Sequence, residues 1–339
     1  MTSPKRAVWA TAILGAALGC TPTGIRESVA LGRSTEAFPT PWADEKETAS
    51  LPEPTSPRRN PLPKATPSPL PDADAYRARA LVTATPQPRT YALVVAIEDY
   101  RDIDAAATGA DEDRSRVEAL LTRTLGVPTG QVRVAAGPRA TRSDVLGHID
   151  WLVRNVTDGA RVLFFFSGHG SARANDGEPL LLPYDSDRTR LERSGLLLSD
   201  ILGQLGASPA GEVVAFIDAC YSGSGGRSVI PEGARPLLRH KESVVPAGIA
   251  VLTAAGAGQL SGADPEGQMG LLTKHVVVGL GEGRADVDGD GQIRLEELVT
   301  YVTPRVARDA RTLGREQEPR FTTSLEAGAL VLGHGYAPL

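Results

Sequence analysis

The chain has 339 residues, of which 41% are hydrophobic and 5% aromatic, and carries a formal net charge of −5. That length holds one large or two ordinary domains and enough apolar side chains for a sizeable core. The folded part carries no basic cluster and no G-x-x-x-x-G-K-[ST] loop, and the glycines from Gly223 to Gly226 lack a phosphate-cradling lysine. Nucleic acid, nucleotides and organic cofactors are therefore not expected partners.

The first twenty residues read as an export signal. Lys5 and Arg6 precede a short apolar stretch from Ala7 to Leu18 that ends in small residues, too short to span a bilayer. Ala17-Leu-Gly followed by Cys20 resembles the lipobox of bacterial lipoproteins, with alanine where leucine is usual. The resemblance implies lipidation at Cys20, a membrane anchor and a place in the cell envelope, with Thr21 after the cysteine favouring the outer membrane. A plain secretory signal that places the chain in the periplasm is the alternative.

Residues 21–88 are dense in proline, poor in aromatics and without helical or strand periodicity. They read as a disordered linker, spanning on the order of 45 Å as a coil and up to about 200 Å at polyproline rise. From residue 89 to 335 the pattern changes to alternating elements. Strands are expected at Tyr91–Ile97, Val132–Ala135, Val162–Ser167, Val213–Asp218, Ile249–Thr253 and Ala329–Leu332. Helices are expected at Asp111–Leu125, Thr141–Asn155, Ser199–Leu205, Gly270–Leu280 and Leu295–Leu313. Thr141-Arg-Ser-Asp reads as a capping signal, and Gly126 as the stop of the helix before it. Such alternation implies an α/β fold: a three-layer αβα sandwich around a mainly parallel sheet of about six strands.

Two of the apolar runs break in the same way. Arg161-Val-Leu-Phe-Phe-Phe-Ser-Gly-His-Gly places His169 just past a buried strand, and Val213-Val-Ala-Phe-Ile-Asp-Ala-Cys-Tyr-Ser-Gly places Cys220 past another. Open parallel sheets put their chemistry beyond the carboxyl ends of their strands, where a thiol and an imidazole from two strands meet. Cys20 and Cys220 are the two cysteines of the chain. If Cys20 carries lipid, Cys220 has no intramolecular partner, and an exported chain keeps one unpaired thiol. His148, His240, His275 and His334 have no comparable setting.

Phe166-Ser-Gly-His-Gly and Asp218-Ala-Cys-Tyr-Ser-Gly resemble the two active-site signatures of the caspase-like cysteine peptidases, and specifically the bacterial relatives of metacaspases called orthocaspases. Tyr91-Ala-Leu-Val-Val-Ala-Ile-Glu-Asp-Tyr resembles the family's opening strand, and Thr108-Gly-Ala-Asp-Glu-Asp its following helix start. The caspase Gln-Ala-Cys signature is absent, with Asp218 where the glutamine would stand, which argues against cleavage after aspartate. By resemblance Cys220 is the nucleophile and His169 stabilises its thiolate and protonates the leaving amine. Backbone N–H groups of Gly170 and Cys220 form the oxyanion hole. Either Ser167 or a loop carbonyl orients the imidazole. Asp113 and Asp218 match the carboxylates that line the primary specificity pocket of metacaspases, which implies protein or peptide substrates cut after arginine or lysine. The plainer reading of Asp113 is a residue that favours the start of its own helix.

Between the cysteine and the next strand, residues 223–246 form a long Gly- and Pro-rich loop with Arg227, Arg235, Arg239 and Lys241, a candidate for self-cleavage or an intact lid. Further on, Asp286-Val-Asp-Gly-Asp-Gly-Gln-Ile-Arg-Leu-Glu-Glu fits the EF-hand loop at residues 286–297. Oxygens of Asp286, Asp288, Asp290, Gln292 and Glu297 would enclose Ca²⁺, and Gly291 would make the sharp turn. Gly281-Glu-Gly-Arg-Ala breaks the incoming helix, and Arg294 takes a place where a water-holding residue is common. Two function classes follow from these residues. One is an exported cysteine endopeptidase, and the other is a catalytically silent, calcium-bound surface module that uses the same fold for protein recognition.

Overall fold

Uninterrupted apolar strands are expected where both faces of a sheet are covered. In the computed structural model, which describes residues 85–219, 245–256, 259 and 261–334, β1 (Thr90–Ala96) is buried at every position. Leu93 and Val95 enter one apolar cluster and Ala92 and Val94 the other. Alternation of the same kind splits Phe164 and Phe166 from Leu163 and Phe165 in β3 (Arg161–Ser167). It splits Ala215 and Ile217 from Val214 and Phe216 in β7 (Glu212–Asp218).

These strands share a six-stranded sheet with β2 (Val132–Ala136), β8 (Ile249–Thr253) and β10 (Arg320–Thr323), in the order β10-β8-β7-β3-β1-β2. All neighbours run parallel except β10, which is antiparallel to β8. One face is covered by α2 (Arg142–Asn155), through Val145, Ile149 and Leu152, and by α3 (Leu198–Gly206), through Leu198, Ile201, Leu202 and Leu205. The other carries α1 (Ala110–Ala119), α4 (Leu271–Gly281) and α5 (Leu295–Thr312), which contribute Val117, Val276, Leu280, Leu298, Val302 and Val306. The three-layer αβα sandwich is the expected one. Each fully buried leucine, isoleucine or phenylalanine contributes about 1.5–3 kcal/mol to holding these layers together.

Local signals act as the sequence predicts. Thr141 caps α2 in a reciprocal box with Asp144, and Gly126 adopts φ 70° behind the preceding helical segment. That segment is α-helical only to Ala119, and Leu120–Thr124 form a π turn. A small antiparallel sheet of β4 (Gly170–Ala172), β5 (Pro179–Leu181) and β6 (Leu196–Leu197) was not expected from the pattern.

The sixth strand of the main sheet requires a correction. It is Arg320–Thr323 and not Ala329–Leu332. The region of the expected strand contains β11 (Val331–His334), which pairs with β9 (Gln292–Arg294) in a separate two-stranded sheet. The physical reason is that β10 is an edge strand whose residues alternate exposed and half-buried, so no apolar run marks it.

Helices α4 and α5 are also tied by His275, whose Nε2 lies 2.9 Å from Asp309 Oδ2. This hydrogen bond, with the imidazole's charge and then Arg308, holds the Asp309 carboxyl below the ordinary aspartate range. A depressed folded pKa contributes stability that is present above the unfolded value and lost as pH falls through the folded one.

Candidate active site

Strands β3 and β7 are parallel neighbours in register, with Ser167 opposite Asp218. The Gly168 N–H donates to the Asp218 carbonyl over 3.3 Å. His169 stands two residues past Ser167, and in the sequence Cys220 stands two residues past Asp218. Adjacent strands lie about 4.8 Å apart, so the two segments leave the sheet side by side at its carboxyl end. Ala219 is fully buried. Cys220 itself, the loop up to residue 244, Cys20 and the rest of residues 1–84 lie outside the described residues.

His169 is held on three sides and is fully buried. Its N–H donates to Tyr100 Oη over 2.7 Å, and the two rings pack with centroids 4.8 Å apart. Its Nε2 lies 2.7 Å from the Ala105 carbonyl oxygen. A carbonyl only accepts, so this contact assigns the neutral imidazole's proton to Nε2 and makes Nδ1 the basic nitrogen. Of the two orienting groups expected, the loop carbonyl is the one that touches the ring.

Ser167 serves elsewhere, donating its Oγ–H to Asp113 Oδ2 over 2.6 Å. Gly168 is required by a close approach, since a Cβ there would lie 2.6 Å from Tyr100 Oη. Gly170, expected at the oxyanion hole, is the first residue of β4 and pairs with Leu181.

Both expected pocket acids are fully buried. Asp113 lies in the first turn of α1, but its carboxylate reaches away from that helix: Oδ1 accepts the Gly270 N–H over 3.0 Å while Oδ2 takes the Ser167 hydroxyl. Asp218 Oδ2 accepts both the Thr273 N–H, 3.0 Å, and the Thr273 hydroxyl, 2.8 Å. Gly270 is the N-cap of α4, and the helix has no side-chain cap of its own. The two carboxylates therefore meet at one helix N-terminus and bond N–H groups that would otherwise lack partners.

The approach of α4 is fixed by Gly109, whose φ is 90° and where a Cβ would fall 2.9 Å from the Gln268 carbonyl carbon. Sequence reasoning found the two acids but missed Gly270, Thr273 and Tyr100. Gly270 and Thr273 lie beside a glycine break, and Tyr100 closes the motif of the opening strand.

In the loop at 286–297, carboxylate oxygens of Asp286, Asp288 and Asp290 lie within 4.8 Å of one another. Gly291, with φ 83°, makes the sharp turn. Asp286 Oδ2 accepts the Gly291 N–H, and Asp290 Oδ1 accepts the Gln292 N–H. Glu297 accepts N–H groups of Val287 and Arg294. The Arg294 guanidinium enters the same cluster, 2.7 Å from Asp290 and 3.6 Å from Glu297, and holds the Asp290 carboxyl below its ordinary range. The donors are hard oxygens of the kind that suit Ca²⁺, with Arg294 already neutralising part of their charge.

A family profile described as "Caspase domain" matches residues 89–329. Metacaspase-2 of Trypanosoma brucei brucei is 27% identical over 172 residues, 45% of this chain and 48% of that protein. Metacaspase-1 of Plasmodium falciparum is 33% identical over 96 residues, 25% of this chain and 15% of that protein. The chain spans about half the length of the Trypanosoma relatives it matches. Among solved structures, caspase-1 from Spodoptera frugiperda is similar at 18% identity and a TM-score of 0.49, over 76% of this chain and 94% of that one.

Tyr100→Phe is expected to strand the buried His169 N–H and to lower stability by about 1–3 kcal/mol. Thermal melting of the two proteins checks this, and equal midpoints would mean that the N–H has another acceptor.

Proposed function

Since the chain belongs to the caspase domain family, with residues 89–329 matched, we propose that it is a cysteine endopeptidase cutting peptide bonds after arginine or lysine. The observation that supports this reading is the register of β3 with β7, in which Ser167 pairs with Asp218, two residues before His169 and, in the sequence, two residues before Cys220. Cys220 acts as thiolate. Its sulfur bonds to the scissile carbonyl carbon, and N–H groups of Gly170 and Cys220 receive the oxyanion. As the carbon–nitrogen bond breaks, protonated His169 Nδ1 gives its proton to the leaving amine. Water then attacks the thioester, His169 Nδ1 takes a proton from it, and the acid product leaves with the thiolate regenerated.

Basic specificity rests on Asp113 and Asp218, because a guanidinium or ammonium entering a dry site requires carboxylate partners. The basic loop at 223–246 is then a substrate of the enzyme itself. Export and lipidation at Cys20, with the linker as tether, place the domain at the cell envelope. Asp286, Asp288, Asp290, Gln292 and Glu297 would hold Ca²⁺, which when bound would order the last third of the domain, and the Arg294 guanidinium now in the cluster would have to yield to it.

Wild type is expected to hydrolyse arginyl and lysyl fluorogenic peptides but not aspartyl ones, and Cys220→Ala to lose about a thousandfold or more in kcat/KM. On a denaturing gel wild type should show fragments cut within 223–246, and Cys220→Ala a single band. No turnover of basic peptides by wild type would sink the assignment.

Calcium is expected to raise the thermal midpoint of the full chain, EGTA to reverse this, and Glu297→Gln to abolish it. Arg294→Gln should need less calcium for the same shift, whereas a midpoint indifferent to calcium in every variant rules the site out. In a bacterial host, metabolic labelling with a fatty-acid analogue should mark wild type but not Cys20→Ala. An unlabelled wild type leaves the plain secretory signal.

A further inference from the structure

The acids assigned above to the specificity pocket have different partners. Asp113 is bonded through separate oxygens to Gly270 and Ser167. Asp218 takes two bonds on the same oxygen, both from Thr273. Thr273 is itself fully buried, and it sits in the first turn of α4, where the N–H groups point out of the helix toward both carboxylates. The helix end thus supplies positive partial charge to a buried anion, and the hydroxyl supplies a second, directional bond.

We propose that Thr273 is a positioning residue for substrate selectivity, which fixes the plane of the Asp218 carboxylate so that the pocket favours a guanidinium over an ammonium. The inference rests on the peptidase reading with Asp218 in the primary pocket and adds a residue to it. A carboxylate anchored at one oxygen by two donors cannot turn freely about its terminal bond. Guanidinium is a planar fork that bonds carboxylates in a shared plane, and it gains most from an acceptor held at a fixed angle. Ammonium is a compact point charge with rotatable donors and tolerates a swivelling partner. Loss of the Thr273 hydroxyl therefore costs arginine more than lysine.

Thr273→Val is nearly isosteric and keeps the backbone N–H bond, so it removes only the hydroxyl donor. Thr273→Ser keeps the hydroxyl and removes only the methyl group. Wild type is expected to prefer an arginyl over a matched lysyl peptide by at least about tenfold in kcat/KM.

In Thr273→Val the arginyl value should fall about tenfold, mainly through a higher KM, while the lysyl value moves less than threefold. Thr273→Ser should restore both the preference and the lower KM.

Equal losses on the two substrates, carried by kcat rather than KM, would assign Thr273 a purely structural role and overturn the proposal while leaving the peptidase reading intact. Should Thr273→Val not fold, the wild-type ratio still decides: equal turnover of arginyl and lysyl peptides overturns the proposal alone. Turnover of neither basic peptide by wild type overturns both.

Discussion

Two carboxylates buried at the first turn of α4 are the constraint around which this domain is arranged. A buried carboxylate without donors is expensive, and a helix N-terminus without a cap leaves N–H groups unsatisfied. Asp113 comes from α1 and Asp218 from β7, and both meet residues 270–273 of α4. Each element removes the other's penalty, so helix, sheet and neighbouring helix are fixed together. Ser167 closes the arrangement from β3, linking the strand that leads to His169 with the acid on α1.

The chemistry depends on a second, simpler fact of β-sheet geometry. Parallel strands in register end level with one another, so residues at equal offsets past a paired position start from neighbouring points. Ser167 and Asp218 are such a pair. His169 follows the first by two residues and, in the sequence, Cys220 follows the second by the same two. What remains is to hold the imidazole in a single tautomer, and the Ala105 carbonyl with the Tyr100 ring accomplishes this from loop residues that follow β1.

Much of this was legible in the residues. The strands β1, β3 and β7 announce themselves because both faces are buried and their interiors, Tyr91 to Ala96, Val162 to Phe166 and Val213 to Ile217, are apolar. The same rule fails for β10, where burial is one-sided and Arg320 and Thr322 face out, and the apolar stretch ending at Leu332 was taken for the sheet's last strand in its place. Asp113 and Asp218 were found by likeness to a family, but what they touch was not, because Gly270 and Thr273 are 157 and 55 residues away and carry no local pattern of their own. Ser167 shows the limit from the other side: its nearness to His169 in sequence suggested a role on the ring, whereas strand geometry turns its hydroxyl toward α1.

The reversed direction of the last sheet strand has an architectural effect at the reactive rim. A parallel strand arrives at the opposite end of the sheet and departs at the rim. β10 instead arrives from the rim side, because it runs antiparallel to β8. The chain that leads into it, Arg315 to Pro319, therefore enters at the carboxyl end of β8, where the Arg315 guanidinium reaches the Ala263 carbonyl and the Glu318 N–H reaches Gln259. One change of strand polarity thus joins the segment that enters β10 to the segment that follows β8, so that the edge of the sheet is fastened at its carboxyl end by bonds outside the strand ladder.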